Sequence, residues 1–403
     1  MLLRLHIDAF KAFADEDIAL DPFAVFVGRN GSGKTSVLQA LEFFHGLVAG
    51  NLGDHLESRG WDYKDLPRLK SANFEFGFAA LLEFEDSLCW WQVKLGKRRR
   101  AGIASEHVYR IAESRWDIVR DGGPADPNED ELLLDREGRR MSRYDWEEQS
   151  WERVTQTLTS SWLQAVDPEH DLDRFPELVQ IAEWARDIQR YVVLDPNRLR
   201  EPSRLSTNGI GPAGENLAGF LRYLRSRRPE AFQRVVARVM GAYPRLEEVE
   251  IQAHDGGAFT LTVRESWASS GNPLLNARQA SDGLLRLFAF ASIPEVLPRP
   301  SVVMVDELEN GVHPQLLGAV VALLESLAED DDIQVLTTSH SPLVLNYVSS
   351  PSSVILTVRG DEGRARAVPL DSTSGYAELS SVFEPGEMWL AVGEEGLIEG
   401  PKR

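Results

Sequence analysis

The residues whose types and spacing are most directly chemical are GRNGSGKT at positions 28–35. They fit G-x-x-x-x-G-K-[ST] at every fixed position, between an apolar run and an amphipathic stretch. Glycines let the backbone curl so that successive N–H groups face one concave anion site. A helix beginning at Lys34 adds the positive end of its dipole to that site. On this reading Gly28, Arg29, Asn30, Gly31, Ser32, Gly33, Lys34, Thr35 and Ser36 hold the phosphates of a nucleotide. Lys34 reaches the β- and γ-phosphates, and the Thr35 hydroxyl ligates Mg²⁺. The plain alternative is a glycine turn between a strand and a helix.

A second constellation is SVVMVDE at 301–307. Four consecutive apolar residues suit a strand buried on both faces. Two carboxylates at its carboxyl end then stand where open α/β sheets bind ligands. Asp306 holds Mg²⁺ through water, and Glu307 is the base for, or orients, an attacking water. A buried strand running into an acidic turn is the bland version. VLTTSHSP (335–342) again ends a strand in polar residues, with His340 placed to touch a γ-phosphate. ASDGLLRLFAF (280–290) opens with a capping serine and a glycine, a further anion site that is weak in isolation. His313 has no partner ligands nearby and reads as a turn residue near a subunit interface, with Pro314 opening the next helix. In FKAF (10–13) an aromatic or cationic residue leans on an adenine ring or touches phosphate; equally, Phe10 and Phe13 pack the core.

These groups need strands and helices to place them. Phe23 to Val27 reads as the strand before the loop, and Lys34 to about Phe44 as the helix after it. Residues 73–84 and 88–95 alternate as a hairpin around Glu85-Asp-Ser87, continued by 108–111 and 116–119. From 121 to 143 the text is polar and loop-like, and 144–190 carries helical periodicity, with Trp151, Val154, Leu158, Trp162 and Val166 in phase and a second helix from Pro176 to Gln189. Strands follow at 191–194, 249–252 and 259–263, and helices at 214–224 and 230–240. The alternation over 280–359 is that of a parallel α/β core. The expected organisation is an amino-terminal lobe over 1–95, a mostly helical insertion over 96–240, a carboxyl-terminal lobe over 241–370 and an extension over 371–403.

The chain has 403 residues, 43% hydrophobic and 26% charged, the composition of a soluble globular protein. No apolar run approaches the roughly 18 residues of a membrane span, and Arg4, Asp8 and Lys11 interrupt any secretion signal. A cytoplasmic protein without a membrane partner is expected. Cys89 is the single cysteine and sits in an apolar run, so a buried structural thiol is expected. The net charge of −20 counts against indiscriminate nucleic-acid binding. The one dense basic cluster, Lys94, Lys97, Arg98, Arg99 and Arg100, reads as a solvated hairpin end or as a contact for DNA phosphate or a partner.

Taken in order, the phosphate loop, the Ser-Asp-Gly helix start, the Asp-Glu strand and the histidine resemble the compact ABC-type ATPases related to RecF and to SMC heads, often called simply AAA family ATPases. GRNGSGKT, ASDGLLRLFAF, VMVDELENGVHP (303–314), TTSHSP (337–342), IDAFKAF and YVVLDPNRLREPS (191–203) carry the likeness. The resemblance implies an α/β P-loop NTPase of ABC/SMC-head type, with a parallel core sheet, an antiparallel β subdomain and a helical insertion. No heptad repeat persists, so no long coiled coil is expected. ATP and Mg²⁺ are the implied cofactors. Two subunits sandwich two ATP molecules head to tail, as a homodimer or a higher homo-oligomer. Ser281, Asp282 and Gly283 of one subunit contact the γ-phosphate held by Lys34 of the other, Glu307 catalyses hydrolysis, His340 senses the γ-phosphate, and Asn310 crosses the interface.

There are departures from that pattern. Ser-Asp-Gly replaces the Ser-Gly-Gly of transporter ATPases. No glutamine loop is evident: Gln39 lies inside the first helix, and Gln92 is a candidate only by strand position. No cysteine-based zinc hook is available, and no TOPRIM nuclease domain is expected to follow. Relatives of this kind serve in DNA repair or anti-phage defence, commonly beside a separate effector. The readings kept open are an ATP-driven switch, a chromosome-maintenance ATPase acting directly on DNA, a scaffold with negligible turnover and, less suited, a transporter's ATPase subunit.

Overall fold

The computed structural model describes residues 1–50, 52–68, 75–97, 101–124, 126, 128–154, 160–191, 194–204, 207–254, 256–266 and 274–400. Its contacts divide the chain into two units. The first comprises Met1–Asp21, Gly28–Ile188 and Ile355–Ser372; the second comprises Pro22–Val27, Gln189–Val354 and Thr373–Arg403.

Strands are numbered along the chain. β1 (Leu2–Asp8) and β2 (Asp15–Ala19) open the first unit, and β3 (Phe23–Val27) belongs to the second. β4 (Phe76–Glu83), β5 (Leu88–Lys97), β6 (Ala101–Arg110), β7 (Glu131–Glu137), β8 (Arg140–Asp145) and β9 (Ser150–Val154) complete an antiparallel sheet in the order β2-β1-β4-β5-β6-β7-β8-β9. The expected hairpin is β4 and β5, in register from Phe76↔Leu95 to Glu83↔Leu88. Behind it runs the helix Lys34–Ala49, longer than its expected end at Phe44. Phe10 packs among Phe43, Phe76 and Phe78 with ring centroids 5.0–5.6 Å apart, and Phe10 and Phe13 are fully buried. Both serve the core. Cys89 is buried too, and burial pushes its thiol up to about 12.

Three expectations fail in this unit. Trp116–Arg120 is a short helix, which turns Val119 into a cluster with Leu81, Leu88, Trp90 and Ile111 that a strand's alternation would not fill. The polar text of 121–143 contains β7 and β8, joined by Gly138 at φ +61 and Arg139. Those strands are mostly charged or polar, with Arg136 and Asp145 buried beside Leu133 and Leu134, so composition hid them. Helical phase from 144 is broken because Asp145 accepts hydrogen bonds from the Glu147 and Glu148 N–H groups and folds Ser150–Val154 back on β8. Trp151 is consequently exposed; Leu158 lies outside the described residues. Helix resumes with a 3₁₀ turn at Trp162–Ala165 and continues at Pro176–Arg186.

In the second unit β10 (Ile188–Tyr191), β11 (Leu246–Ala253), β12 (Phe259–Glu265), β13 (Leu274–Asn276), β14 (Val302–Val305) and β15 (Gln334–Ser339) follow. β10 comes earlier than the strand expected at 191–194, whose Val192 and Val193 are outside the described residues. The core order is β10-β14-β15-β3, and β14, β15 and β3 run parallel. All residues of β3, β14 and β15 are buried, which explains the unbroken apolar text of β3 and β14, while β15 buries Gln334, Thr337, Thr338 and Ser339 as well. β11, β12 and β13 form a separate antiparallel sheet. Helices Leu217–Arg227 and Pro229–Ala242 meet at Arg228 as expected, since Pro229 fits a first helical position. Asp282–Ser292 and Pro314–Asp330 supply the other long helices of the core. The latter has 17 residues, and no described helix is longer, so no long coiled coil is present among the described residues. No described helix is long and apolar enough to cross a membrane. β16 (Val354–Arg359) and β17 (Ala365–Pro369) return the chain to the first unit as an antiparallel pair.

Candidate nucleotide site

The phosphate loop belongs to the first unit and follows directly on β3. Gly28, Gly31 and Gly33 have φ of +152°, +77° and +121°. At Gly28 a β-carbon would lie 2.2 Å from the Thr357 carbonyl oxygen, so only glycine lets the loop rest on β16. At Gly33 it would lie 3.0 Å from the Phe13 ring, whereas at Gly31 the space is open and only the backbone angle demands glycine. Ser32 Oγ and Thr357 Oγ1 are 2.7 Å apart and share a hydrogen bond. Lys34 is 4% exposed, and its Nζ donates to the carbonyls of Gly28 (2.6 Å) and Arg29 (3.0 Å), which draws the ammonium across the loop. Arg29, Asn30 and Thr35 are exposed and Ser36 is half-buried. No side chain caps the helix at Gly33, and a helix N-terminal end of this kind suits a ligand of negative charge.

The acidic pair stands in the second unit at the end of β14. Asp306 Oδ1 accepts the Thr338 hydroxyl at 2.6 Å, and Oδ2 accepts Arg190 Nη2 at 3.1 Å. Glu307 has φ +53°, rare for a non-glycine residue. Its N–H donates to Thr338 Oγ1 (2.8 Å), and its Oε2 accepts Asn310 Nδ2 (3.3 Å). Leu308 N–H donates to the Thr338 carbonyl (3.0 Å), and His340 N–H donates to Glu309 Oε1 (2.6 Å). The end of β15 is thereby laced to the acidic turn, with the His340 side chain exposed.

Ser281 caps the helix Asp282–Ser292 by accepting from Leu284 N–H at 3.2 Å. Asp282 pairs with Arg200, which also donates to the Ala280 carbonyl. A β-carbon on Gly283 would lie 2.7 Å from Leu316, so that glycine brings this helix close to the helix Pro314–Asp330. His313 is engaged locally: its Nδ1 accepts from Gln315 N–H at 3.3 Å, capping that second helix.

Other candidates resolve differently. Lys11 donates to Gln39 and lies 4.8 Å from the Trp61 ring centroid, which accounts for Gln39 without a nucleotide. Gln92 lines a cavity of about 260 Å³ with His6, Asp8, Asp15 and Lys94. Lys94 there faces carboxylates across Gly77; the Lys97 side chain and Arg98, Arg99 and Arg100 lie outside what is described. Sequence reasoning missed Arg190, Thr338 and Thr357, the groups that fix the predicted ones.

Residues 1–60 match the family model described as "AAA ATPase domain". Residues 180–346 match the one described as "AAA domain, putative AbiEii toxin, Type IV TA system". Both stretches match AAA-type ATPase domains, which support a compact ATPase. Among solved structures this ATPase is similar to an SMC head bound to the C-terminal winged-helix domain of ScpA, at 13% identity and a TM-score of 0.55 over 91% of this chain and 97% of that one. SMC heads from Thermotoga maritima (12% identity, TM-score 0.46, covering 91% and 98%) and Pyrococcus furiosus (13%, 0.49, covering 94% and 99%) also align. At such identities the first likeness shows the fold. No curated protein matches the sequence significantly.

Proposed function

We propose that this ATPase is an ATP-hydrolysing switch that works as a head-to-tail dimer. The observation that carries the reading is Glu307: a left-handed backbone at a carboxylate costs energy and persists only where surroundings over-determine it, as at functional sites. Here Thr338, Leu308 and Asn310 hold it. In the proposed reaction the loop N–H groups and Lys34 bind the β- and γ-phosphates. Glu307 takes a proton from the water that attacks the γ-phosphorus, the bond to the ADP oxygen breaks, and His340 contacts the departing phosphate. Asp306 and Thr35 offer hard oxygen donors that suit Mg²⁺, and each Asp306 oxygen keeps lone-pair capacity beyond its one hydrogen bond. Mg²⁺ held by such donors would supply neutralisation of phosphate charge. The exposed Ser281 and the helix start it caps are offered to the nucleotide of a second subunit.

The biological setting we infer is defence or DNA repair with a separate effector protein. The type IV toxin wording of the matched model supports defence. Direct action on DNA is less favoured, since the described part of the basic cluster, Lys94, is set among carboxylates.

The test is hydrolysis and light-scattering mass, with ATP and Mg²⁺, for wild type, Glu307→Gln and Ser281→Arg. Glu307→Gln should bind ATP, lose at least about a hundredfold in turnover and accumulate as a dimer that Ser281→Arg prevents. Equal hydrolysis by a monomer in all three would overturn the reading.

A further inference from the structure

Among the buried polar atoms of the second unit that have no hydrogen-bond partner among the described residues, two adjoin the turn after the acidic pair. One is Oε2 of Glu309; the other is Nε of Arg286. Arg286 lies in the helix that Ser281 caps and is only 3% exposed. Burial lowers its pKa, opposed at longer range by Asp282 and Asp195. A buried guanidinium without full hydrogen bonding is costly, and replacing it by an apolar side chain would ordinarily stabilise a fold. Its retention therefore asks for a use.

The geometry supplies one. A β-carbon on Gly311 would lie 3.1 Å from Arg286 Nη2, 3.4 Å from Cζ and 3.6 Å from Nε, so the guanidinium lies along the bare backbone of Gly311. Gly311 has φ +68°, and the turn is closed by Val312 N–H donating to the Glu309 carbonyl at 3.0 Å. Glu309 in turn holds His340 by its backbone N–H. One short turn thus touches the Ser281-capped helix on one side and the histidine on the other.

We propose that Glu309 and Arg286 are positioning residues that couple His340 to the Ser281-capped helix. Glu309 fixes the backbone of His340, and Arg286 fixes the turn that carries Glu309. A movement of His340 on loss of the γ-phosphate then reaches the helix start that faces the second subunit. This rests on the ATPase reading above.

The experiment uses the full chain with Glu309→Ala, Glu309→Gln, Arg286→Met and the double variant Glu309→Ala/Arg286→Met. The first readout, amide hydrogen exchange of His340 without nucleotide, does not depend on turnover. Glu309→Ala should speed that exchange about tenfold, the worth of one charge-assisted hydrogen bond, and Glu309→Gln, which keeps an acceptor oxygen, should restore most of the protection. The second readout is hydrolysis. Glu309→Ala and Arg286→Met should each lower kcat about tenfold with KM within about twofold, and the double variant should be little worse than either single. Unchanged exchange in Glu309→Ala, equal failure of Gln and Ala, or additive losses in the double variant would overturn the coupling. A wild type that hydrolyses nothing would remove the ATPase reading, while the exchange result would still decide whether Glu309 holds His340.

Discussion

Single residues carry the sharpest consequences. Gly28 and Gly31 share a motif and a positive φ, yet only Gly28 has a carbonyl 2.2 Å from where a β-carbon would stand. Gly28→Ala should cost more than about 2 kcal/mol and abolish nucleotide binding. Gly31→Ala should cost about 1 kcal/mol, the left-handed penalty alone; thermal melts and nucleotide titration separate the two. His55 makes a pH prediction. Its ring packs edge-on to Phe43 and Trp61, and burial, then the charges of Arg59 and His45, push its pKa down to about 4. The unfolded chain binds this proton near the ordinary 6.5 and the folded chain does not, so the stabilisation is whole above 6.5 and lost as pH falls toward 4. The loss amounts to about 3 kcal/mol. Denaturant titrations across this window should show a shallower acid limb for His55→Gln, and an unchanged limb would refute the assignment.

At the scale of elements, the ends of two parallel strands are tied by one hydroxyl. Thr338 at the end of β15 donates to Asp306 and accepts from Glu307 N–H, while its carbonyl accepts from Leu308. Thr338→Val keeps the shape and removes both side-chain bonds. It should lower stability by roughly 1–3 kcal/mol and turnover by at least about tenfold, because a carboxylate in the role proposed for Glu307 tolerates little displacement. Thr338→Ser should recover most of both in melting and steady-state assays. Elements also show where periodicity fails as a guide. Trp151 and Val154 are spaced for a helix, but Asp145 caps a turn that returns them to a sheet edge. Strands such as β7 and β8, which lie inside the sheet, escaped notice because they are mostly charged and polar and so have the composition of a loop.

At the scale of the molecule, charge decides more than shape. A net charge of −20 repels a polyanion at long range. Fluorescence anisotropy with a labelled duplex should therefore show no retained DNA at about 150 mM salt. Binding that survived there, with a steep salt slope lost on neutralising Lys94, would favour direct action on DNA instead.

The sequence by itself determined the phosphate loop, the acidic strand, the capping Ser281 and the strands that carry them. Those features depend on local spacing: glycines at fixed offsets, apolar runs buried on both faces, a serine before a helix. The tertiary structure alone decided that Thr357 supports Gly28, that Arg190 and Thr338 hold Asp306, and that His313 caps a helix. It also decided that Arg286 lies on Gly311. Apart from the local cap at His313, each of these joins residues far apart in the chain through one hydrogen bond or one close approach. Such contacts leave no periodic trace, because nothing in local propensity records which distant backbone a side chain will meet.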